Sequence, residues 1–181
     1  MTRDSGKSRA VFVDRDGTLI HDADYCSEPG QVRLFAGAAE ALRRLKARGF
    51  KVIIITNQSG IGRGFFNIEQ YRAVEAEVTR QLGNGLIDAT YFCPDVPGEP
   101  SQCRKPAPGM VLQAAREHDV DLAGSFLIGD KEIDAECGRN AGVRTIRVQT
   151  GFDRDTTASG ADWVAKDLPA AVKIILQHSN E

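Results

Sequence analysis

The sequence has no apolar run approaching the roughly 18 residues needed to cross a bilayer, and Val52 to Ile55 is among its longest uninterrupted stretches. Its opening residues, MTRDSGKSRA, contain no apolar core of a secretion signal. Charge of one sign is equally scarce in surplus. Twenty-three Lys and Arg stand against 25 Asp and Glu for a formal charge of −2, and no basic block or stripe appears. A nucleic-acid or acidic-membrane partner therefore has no bulk electrostatic support. The four cysteines, at positions 26, 93, 103 and 137, include no CxxC pair and are too few for a disulfide scaffold at this length. They read as reduced thiols, with Cys93 and Cys103 set apart by the proline-rich segment between them. There is no internal repeat, low-complexity tract or linker, so the 181 residues are expected to form one domain, 1–181, with 1–8 as a flexible tail. A soluble, cytoplasmic monomer is the expectation.

What is present is an ordinary globular balance, 41% hydrophobic and 27% charged, enough for a packed core. Ala10 to Val13 is a short apolar run that ends abruptly in the acidic DRDG, which reads as a buried strand with carboxylates at its C-terminal end. Ala38, Ala41, Leu42 and Leu45 recur at helical spacing, and Gly49 follows as a C-terminal cap. Val52 to Ile55 is a second β-branched run, ending in TNQSG. Helices are predicted over 68–82, 110–118, about 132–140 and 168–177, and strands over 89–93, 125–128, 143–148 and near Trp163. Strands that alternate with helices, each a continuous apolar run, imply a parallel sheet covered on both faces. The predicted fold is α/β, a doubly wound, Rossmann-like, mostly parallel sheet.

Ligands of such sheets sit beyond the carboxyl ends of the strands. Three predicted strands end there in polar clusters: Asp14 and Asp16, Thr56 to Ser59, and Asp130 with Lys131 and Asp134. A single DxD after a strand is an ordinary solvated turn, but several such clusters on one edge call for a common explanation. Carboxylates this close repel unless a cation lies between them, and a hard divalent cation such as Mg²⁺ fits a set of carboxylates, a carbonyl and waters. The Thr56 hydroxyl, the loop amides after it, and Lys105 or Lys131 suit an anion. Together they point to phosphoryl transfer.

DRDGTLI (14–20), TNQSGIGRGFF (56–66), CRKPAPGM (103–110) and GDKEID (129–134) resemble the four ordered motifs of the haloacid dehalogenase superfamily. Their wording is similar to the heptose 1,7-bisphosphate 7-phosphatases and the related histidinol-phosphate phosphatases. The likeness runs from about residue 10 to residue 176. It implies an Mg²⁺-dependent phosphomonoesterase that removes the 7-phosphate of a heptose bisphosphate in nucleotide-heptose precursor synthesis, with histidinol phosphate as the alternative substrate. A nucleic-acid 3′-phosphatase shares related motifs but lacks support from the charge balance.

The resemblance also implies roles. Asp14 is the nucleophile, Asp16 the general acid and base, and Thr56 and Lys105 hold the transferring phosphoryl group. Asp14, the Asp16 backbone carbonyl and Asp130 bind Mg²⁺, while Asp134 and Lys131 orient the metal side and the nucleophile. Substrate contacts fall on Asp22, Ala23, Asp24, Tyr25, Asn57, Gln58, Ser59, Arg104 and Lys131. Arg104 suits a second phosphate on physical grounds too, since guanidinium binds phosphate in a bidentate fork.

One departure from the family pattern lies in CPDVPGEPSQC (93–103). Related phosphatases carry a CxH pair and a CxC pair there as a zinc loop, whereas Asp95 and Ser101 here stand beside Cys93 and Cys103. Serine is a poor zinc ligand, so Zn²⁺ is not expected to bind tightly. The spans 18–56 and 56–105 leave no room for a large cap module, which implies an open site with specificity set by loops 22–25, 57–66 and 94–104. GKS at 6–8 has no strand before it, and GIGRG at 60–64 lacks the third glycine of a dinucleotide fingerprint, so neither is assigned a nucleotide.

Overall fold

In a computed structural model, residues 6–179 are described. Six strands, β1 (Ala10–Val13), β2 (Lys51–Asn57), β3 (Ala89–Cys93), β4 (Phe126–Gly129), β5 (Arg144–Val148) and β6 (Trp163–Ala165), form one sheet in the order β3-β2-β1-β4-β5-β6. Every pairing is parallel. The helices are α1 (Ala38–Ala47), α2 (Ser59–Gly62), α3 (Ile68–Leu82), α4 (Gly109–Glu117), α5 (Glu132–Ala141) and α6 (Leu168–His178). All the predicted strands are found within two residues of their expected bounds. The four-residue α2 and a single 3-10 turn at Pro29–Gln31 carry no periodic apolar signal, and the sequence reading did not place them.

The alternation along each strand sorts two cores. Val11 and Val13 pack with Ile54, Phe126 and Ile128 under α1, α3 and α6, whereas Ala10 and Phe12 pack with Ile53, Ile55 and Leu127 under α4 and α5. Both faces of the sheet are thus buried, which is why the strands read as continuous rather than alternating apolar runs. Local signals agree with this layering. Asn67 accepts from the Gln70 amide while the Gln70 side chain accepts from the Asn67 amide, a reciprocal cap that starts α3. Asp167 caps α6 through the Ala170 amide.

Two expectations need correcting. The proposed tail 1–8 is too long: residues 1–5 lie outside the described residues, but the Ser8 amide donates to the Asp119 carbonyl at 2.9 Å and the Ser8 carbonyl accepts from the Asp121 amide at 2.9 Å. Nor are all four cysteines thiols. Cys93 and Cys103 form a disulfide, and only Cys26 and Cys137 are free, both buried. Composition cannot reveal that the end of β3 and the segment before Lys105 fold against each other.

Between β1 and α1 the chain makes a small flap. The Gly17 amide donates to Ile20 O, the His21 amide to Arg33 O and the Phe35 amide to Leu19 O, and Leu19 and Ile20 are fully buried. No larger cap covers the carboxyl edge among the described residues, and none of their helices is long and apolar enough to span a membrane. Phe12 is fully enclosed between β1 and the α4/α5 layer. Phe12→Ala is expected to lower unfolding free energy by about 3–5 kcal/mol, measured as a shift in urea midpoint at constant slope.

Candidate active site

β2, β1 and β4 are neighbours at the centre of the sheet, so the residues at their carboxyl ends meet. The Asp14 amide donates to Ile128 O at 2.9 Å, which sets β1 beside β4 one residue past its end. Carboxylate oxygens of Asp14, Asp130 and Asp134 all lie within 4.8 Å of one another, and all three residues are buried. One cation is built into this cluster. Lys105 Nζ contacts Asp14 Oδ1 at 2.8 Å and Asp134 Oδ1 at 2.6 Å, and donates to Ile55 O at 3.1 Å. The reciprocal pair between the Asn57 amide group and the Lys105 backbone, at 3.0 and 3.2 Å, holds this lysine in register with β2.

The three carboxylates do not fare alike. Burial opposes ionisation of Asp14, yet Lys105, with help from Lys131, holds its carboxyl below the usual range. Burial would push the Lys105 ammonium down, but Asp134 and Asp14 outweigh it and raise it. Asp134 is raised by burial despite the Lys105 contact, and the Lys131 amide donates to its Oδ2 at 3.0 Å. Asp130 is the least matched of the cluster: burial first, then Asp14 and Asp134, push it up to about 8.

Both Asp130 oxygens are buried without a hydrogen-bond partner among the described residues. A Cβ at Gly17 or Gly151 would collide with this carboxylate, so two glycines leave it unobstructed space. Gly17 has φ +85°, and its carbonyl accepts from Thr150 Oγ1 at 2.6 Å. Orphaned, crowded carboxylate oxygens cost several kcal/mol unless a cation completes them. The donor set is all oxygen, which fits Mg²⁺.

Asp16 sits outside this trio, partly exposed, two residues past the nucleophile candidate. Its Oδ2 accepts from Arg15 Nε at 3.0 Å and Gln58 Nε2 at 2.9 Å, and Gln58 Nε2 also reaches Thr56 Oγ1 at 2.8 Å. Asp14, Asp16, Thr56 and Lys105 share an inner recess of about 40 Å³. This opens beside a cavity of about 360 Å³ lined by Asp22, Asp24, Tyr25, Asn57, Gln58, Ser59, Arg104 and Lys131. The sequence-derived contact set therefore comes together, with one exception. Ala23 packs on the apolar core instead of lining the cavity, because the chain turns through left-handed conformations at Asp24 (φ 50°) and Tyr25 (φ 65°). Cys26, Gly60 and Ile133 line the cavity as well, and nothing in their side-chain chemistry marked them beforehand.

The cations around the cavity are unequal. Lys131 reaches towards Asp22 at 3.8 Å, and it is raised because Asp130, Asp14 and Asp22 outweigh its partial burial. Arg104 is lowered, first by partial burial and then by the positive charge of Arg63. Arg104 Nη1 donates to Asp95 O at 3.1 Å, its amide donates to Ser101 Oγ at 2.9 Å, and Ser101 Oγ donates to Asp95 Oδ2 at 2.6 Å. Cys93, Asp95 and Cys103 do lie close enough together for a metal. The set fits zinc poorly all the same: the two sulfurs are bonded to each other, and the fourth position is a serine hydroxyl.

Similarity to known proteins agrees with this geometry. Residues 11–81 match the haloacid dehalogenase-like hydrolase model, and residues 102–171 match the HAD-hydrolase-like model. The D-glycero-β-D-manno-heptose-1,7-bisphosphate 7-phosphatase of Yersinia pestis is 40% identical over 180 residues, covering 91% of this chain and 95% of that protein. The chain belongs to the haloacid dehalogenase-like family. The D-glycero-D-manno-heptose-1,7-bisphosphate 7-phosphatase of Thermosynechococcus vestitus is 38% identical over 188 residues, with 93% and 96% covered. The crystal structure of the D,D-heptose 1,7-bisphosphate phosphatase of B. bronchiseptica, complexed with magnesium and phosphate, superposes with a TM-score of 0.86 at 36% identity. That match covers 93% of this chain and 98% of that one. The mostly parallel α/β architecture is thus that of haloacid dehalogenase-like phosphatases.

For a haloacid dehalogenase-like enzyme with this acidic trio, metal-free stability should depend on pH through Asp130. Its folded carboxyl binds a proton up to about pH 8, against 3.8 as the ordinary value, so the metal-free fold loses stability as pH rises through that window. Asp130→Asn cannot titrate. In EDTA the variant should melt above the parent, with the gap widening from pH 5 to pH 8, each kcal/mol recovered being worth about 2–4 °C at this length. Added Mg²⁺ should raise the parent's melting temperature and leave the variant's unchanged.

Proposed function

We propose that this chain is a phosphomonoesterase that hydrolyses the 7-phosphate of D-glycero-D-manno-heptose 1,7-bisphosphate through an aspartyl-phosphate. The observation that carries the reaction class is the placement of Asp14: a carboxylate held ionised by a buried lysine, facing a recess that opens onto a cation-rimmed cavity. The substrate class draws support from the relatives named above and from Arg104 and Lys131 at the outer cavity, where a second phosphate needs its own positive charge.

In this reading an Asp14 oxygen attacks phosphorus and the ester P–O bond breaks. Asp16 gives its proton to the leaving sugar oxygen, and the phosphoryl group is then on Asp14. Asp16, now a carboxylate, takes a proton from a water that attacks phosphorus, releasing inorganic phosphate and restoring Asp14. Thr56 and Lys105 grip the phosphoryl oxygens throughout. Asp14, Asp130 and the Asp16 carbonyl would hold Mg²⁺, which supplies positive charge against the phosphoryl oxygens. Asp134 keeps Lys105 aimed at Asp14, and Asp22, Asp24, Tyr25, Asn57, Gln58 and Ser59 shape the sugar side. Zn²⁺ has no part in the scheme, because a covalent bond and local hydrogen bonds already close the 93–103 loop.

Phosphate release from both anomers of heptose 1,7-bisphosphate, from histidinol phosphate and from a 3′-phosphorylated oligonucleotide tests the assignment. One heptose anomer should be preferred, EDTA should stop turnover, and Asp14→Asn should abolish it. A preference for histidinol phosphate would move the chain to that neighbouring activity, and equal weak rates on all substrates would leave only the reaction class. Elemental analysis of the purified protein should find well under one zinc per chain, and one equivalent would overturn the account of the loop.

A further inference from the structure

Arg15 lies between the two aspartates of the DRDG turn, and its side chain is fully buried. Its guanidinium grips Asp16 with two nitrogens, Nε to Oδ2 at 3.0 Å and Nη2 to Oδ1 at 3.2 Å. On its other side Nη1 stands 3.8 Å from Glu75 Oε2, and the Tyr71 ring lies 5.6 Å from the guanidinium carbon. Glu75 is itself anchored: Thr90 Oγ1 donates to its Oε1 at 2.9 Å and the Tyr71 hydroxyl donates to its Oε2 at 3.4 Å. A chain of polar contacts thus runs from β3 through α3 to Asp16, behind the wall of the cavity. Apart from Asp16, none of these groups has a part in the mechanism above.

Such a chain has a physical purpose. A fully buried guanidinium is costly unless its charge is matched, and an arginine paired with Asp16 alone would hold that carboxylate by charge as well as by geometry. Glu75 supplies a second counter-charge. Arg15 is then shared between two carboxylates and can fix the plane of Asp16 without being neutralised by it alone. Asp16 also differs from its neighbours in being partly exposed on one side and held on the other, with Gln58 as its one further side-chain partner among the described residues.

We infer that Glu75, acting through Arg15, is a positioning residue for the Asp16 carboxyl, keeping it aimed at the leaving-group oxygen. This rests on the assignment of Asp16 as general acid. Removing Glu75's charge should free Arg15 to shift and should impair proton delivery while leaving the nucleophile and its lysine intact. The loss should therefore depend on how much the leaving group needs a proton. A sugar alkoxide needs one, whereas p-nitrophenolate leaves without it.

The experiment compares kcat/KM for heptose 1,7-bisphosphate and for p-nitrophenyl phosphate in the parent, Glu75→Gln, Thr90→Val and Asp16→Asn. This constant reports steps up to cleavage of the ester bond. Glu75→Gln should lose about tenfold or more on the sugar ester relative to its loss on the aryl ester, a fraction of the 10²–10⁴ that general acid catalysis contributes. Thr90→Val, which removes only the 2.9 Å anchor of Glu75, should shift the same ratio in the same direction by less. In an Asp16→Asn background, Glu75→Gln should leave the ratio unchanged. Thermal melts identify any variant that fails to fold, in which case Thr90→Val carries the comparison. Equal losses on both esters would reduce Glu75 to a structural residue and overturn the inference, as would no loss on either. If Asp16→Asn itself fails to discriminate between the esters, the general-acid assignment falls and takes this inference with it. If it discriminates and Glu75→Gln does not, only the inference falls.

Discussion

The site depends on one buried ion contact, a single ammonium shared by two carboxylates. Lys105 reaches Asp14 and Asp134 from a loop on the far side of β2, and without it three buried acidic groups would face each other unmatched. Its presence lowers Asp14 but cannot serve Asp130, whose oxygens stay unmatched. The cluster is therefore only partly balanced by the one cation that belongs to the chain, and it leaves a place for one that does not. That asymmetry separates the groups: the carboxyl beside lysine is held below the ordinary range, and the carboxyl beyond it is left without a counter-charge.

The sheet makes this arrangement affordable. Three adjacent parallel strands end at one edge of the sheet, so the residues at their carboxyl ends converge without long loops to order them. Glycines at 17 and 151 then leave space around the Asp130 carboxylate that a methyl group would occupy. Of the three described non-glycine residues in the left-handed region, Asp24 and Tyr25 lie where the flap bends over the cavity mouth, and Asp119 lies away from it.

Much of this could be read from residue order alone, because it is local. Apolar runs that stop at carboxylates mark strand ends, and in a doubly wound sheet strand ends share an edge; hence Asp14, Thr56 and Asp130 were foreseeable together. Lys105 was named from its motif, but no pattern along the chain reveals that Asn57 pins its backbone across 48 positions. Ala23 illustrates the opposite failure: membership in a contact segment does not say which way a side chain faces once two consecutive residues take positive φ. The disulfide between 93 and 103 escaped because cysteine counts carry no distances. Arg15 and Glu75 escaped because buried charge is silent in composition, and a helix position such as 75 looks like any other solvated glutamate until Thr90 and Tyr71 are seen around it.

Arg104 and Lys105 are peptide neighbours, yet they are anchored by different partners. Lys105 is tied to Asn57 and to the acidic trio, whereas Arg104 is tied to Asp95 and Ser101 within its own loop. A lineage could lengthen, shorten or rewrite residues 94–102 and move the outer guanidinium by several ångströms while the inner ammonium stayed in place. Selection for a new substrate and selection against loss of chemistry would then act on adjoining residues almost independently. In such a fold, divergence of taste is cheap and divergence of reaction is not, and the boundary between the two is a single peptide bond.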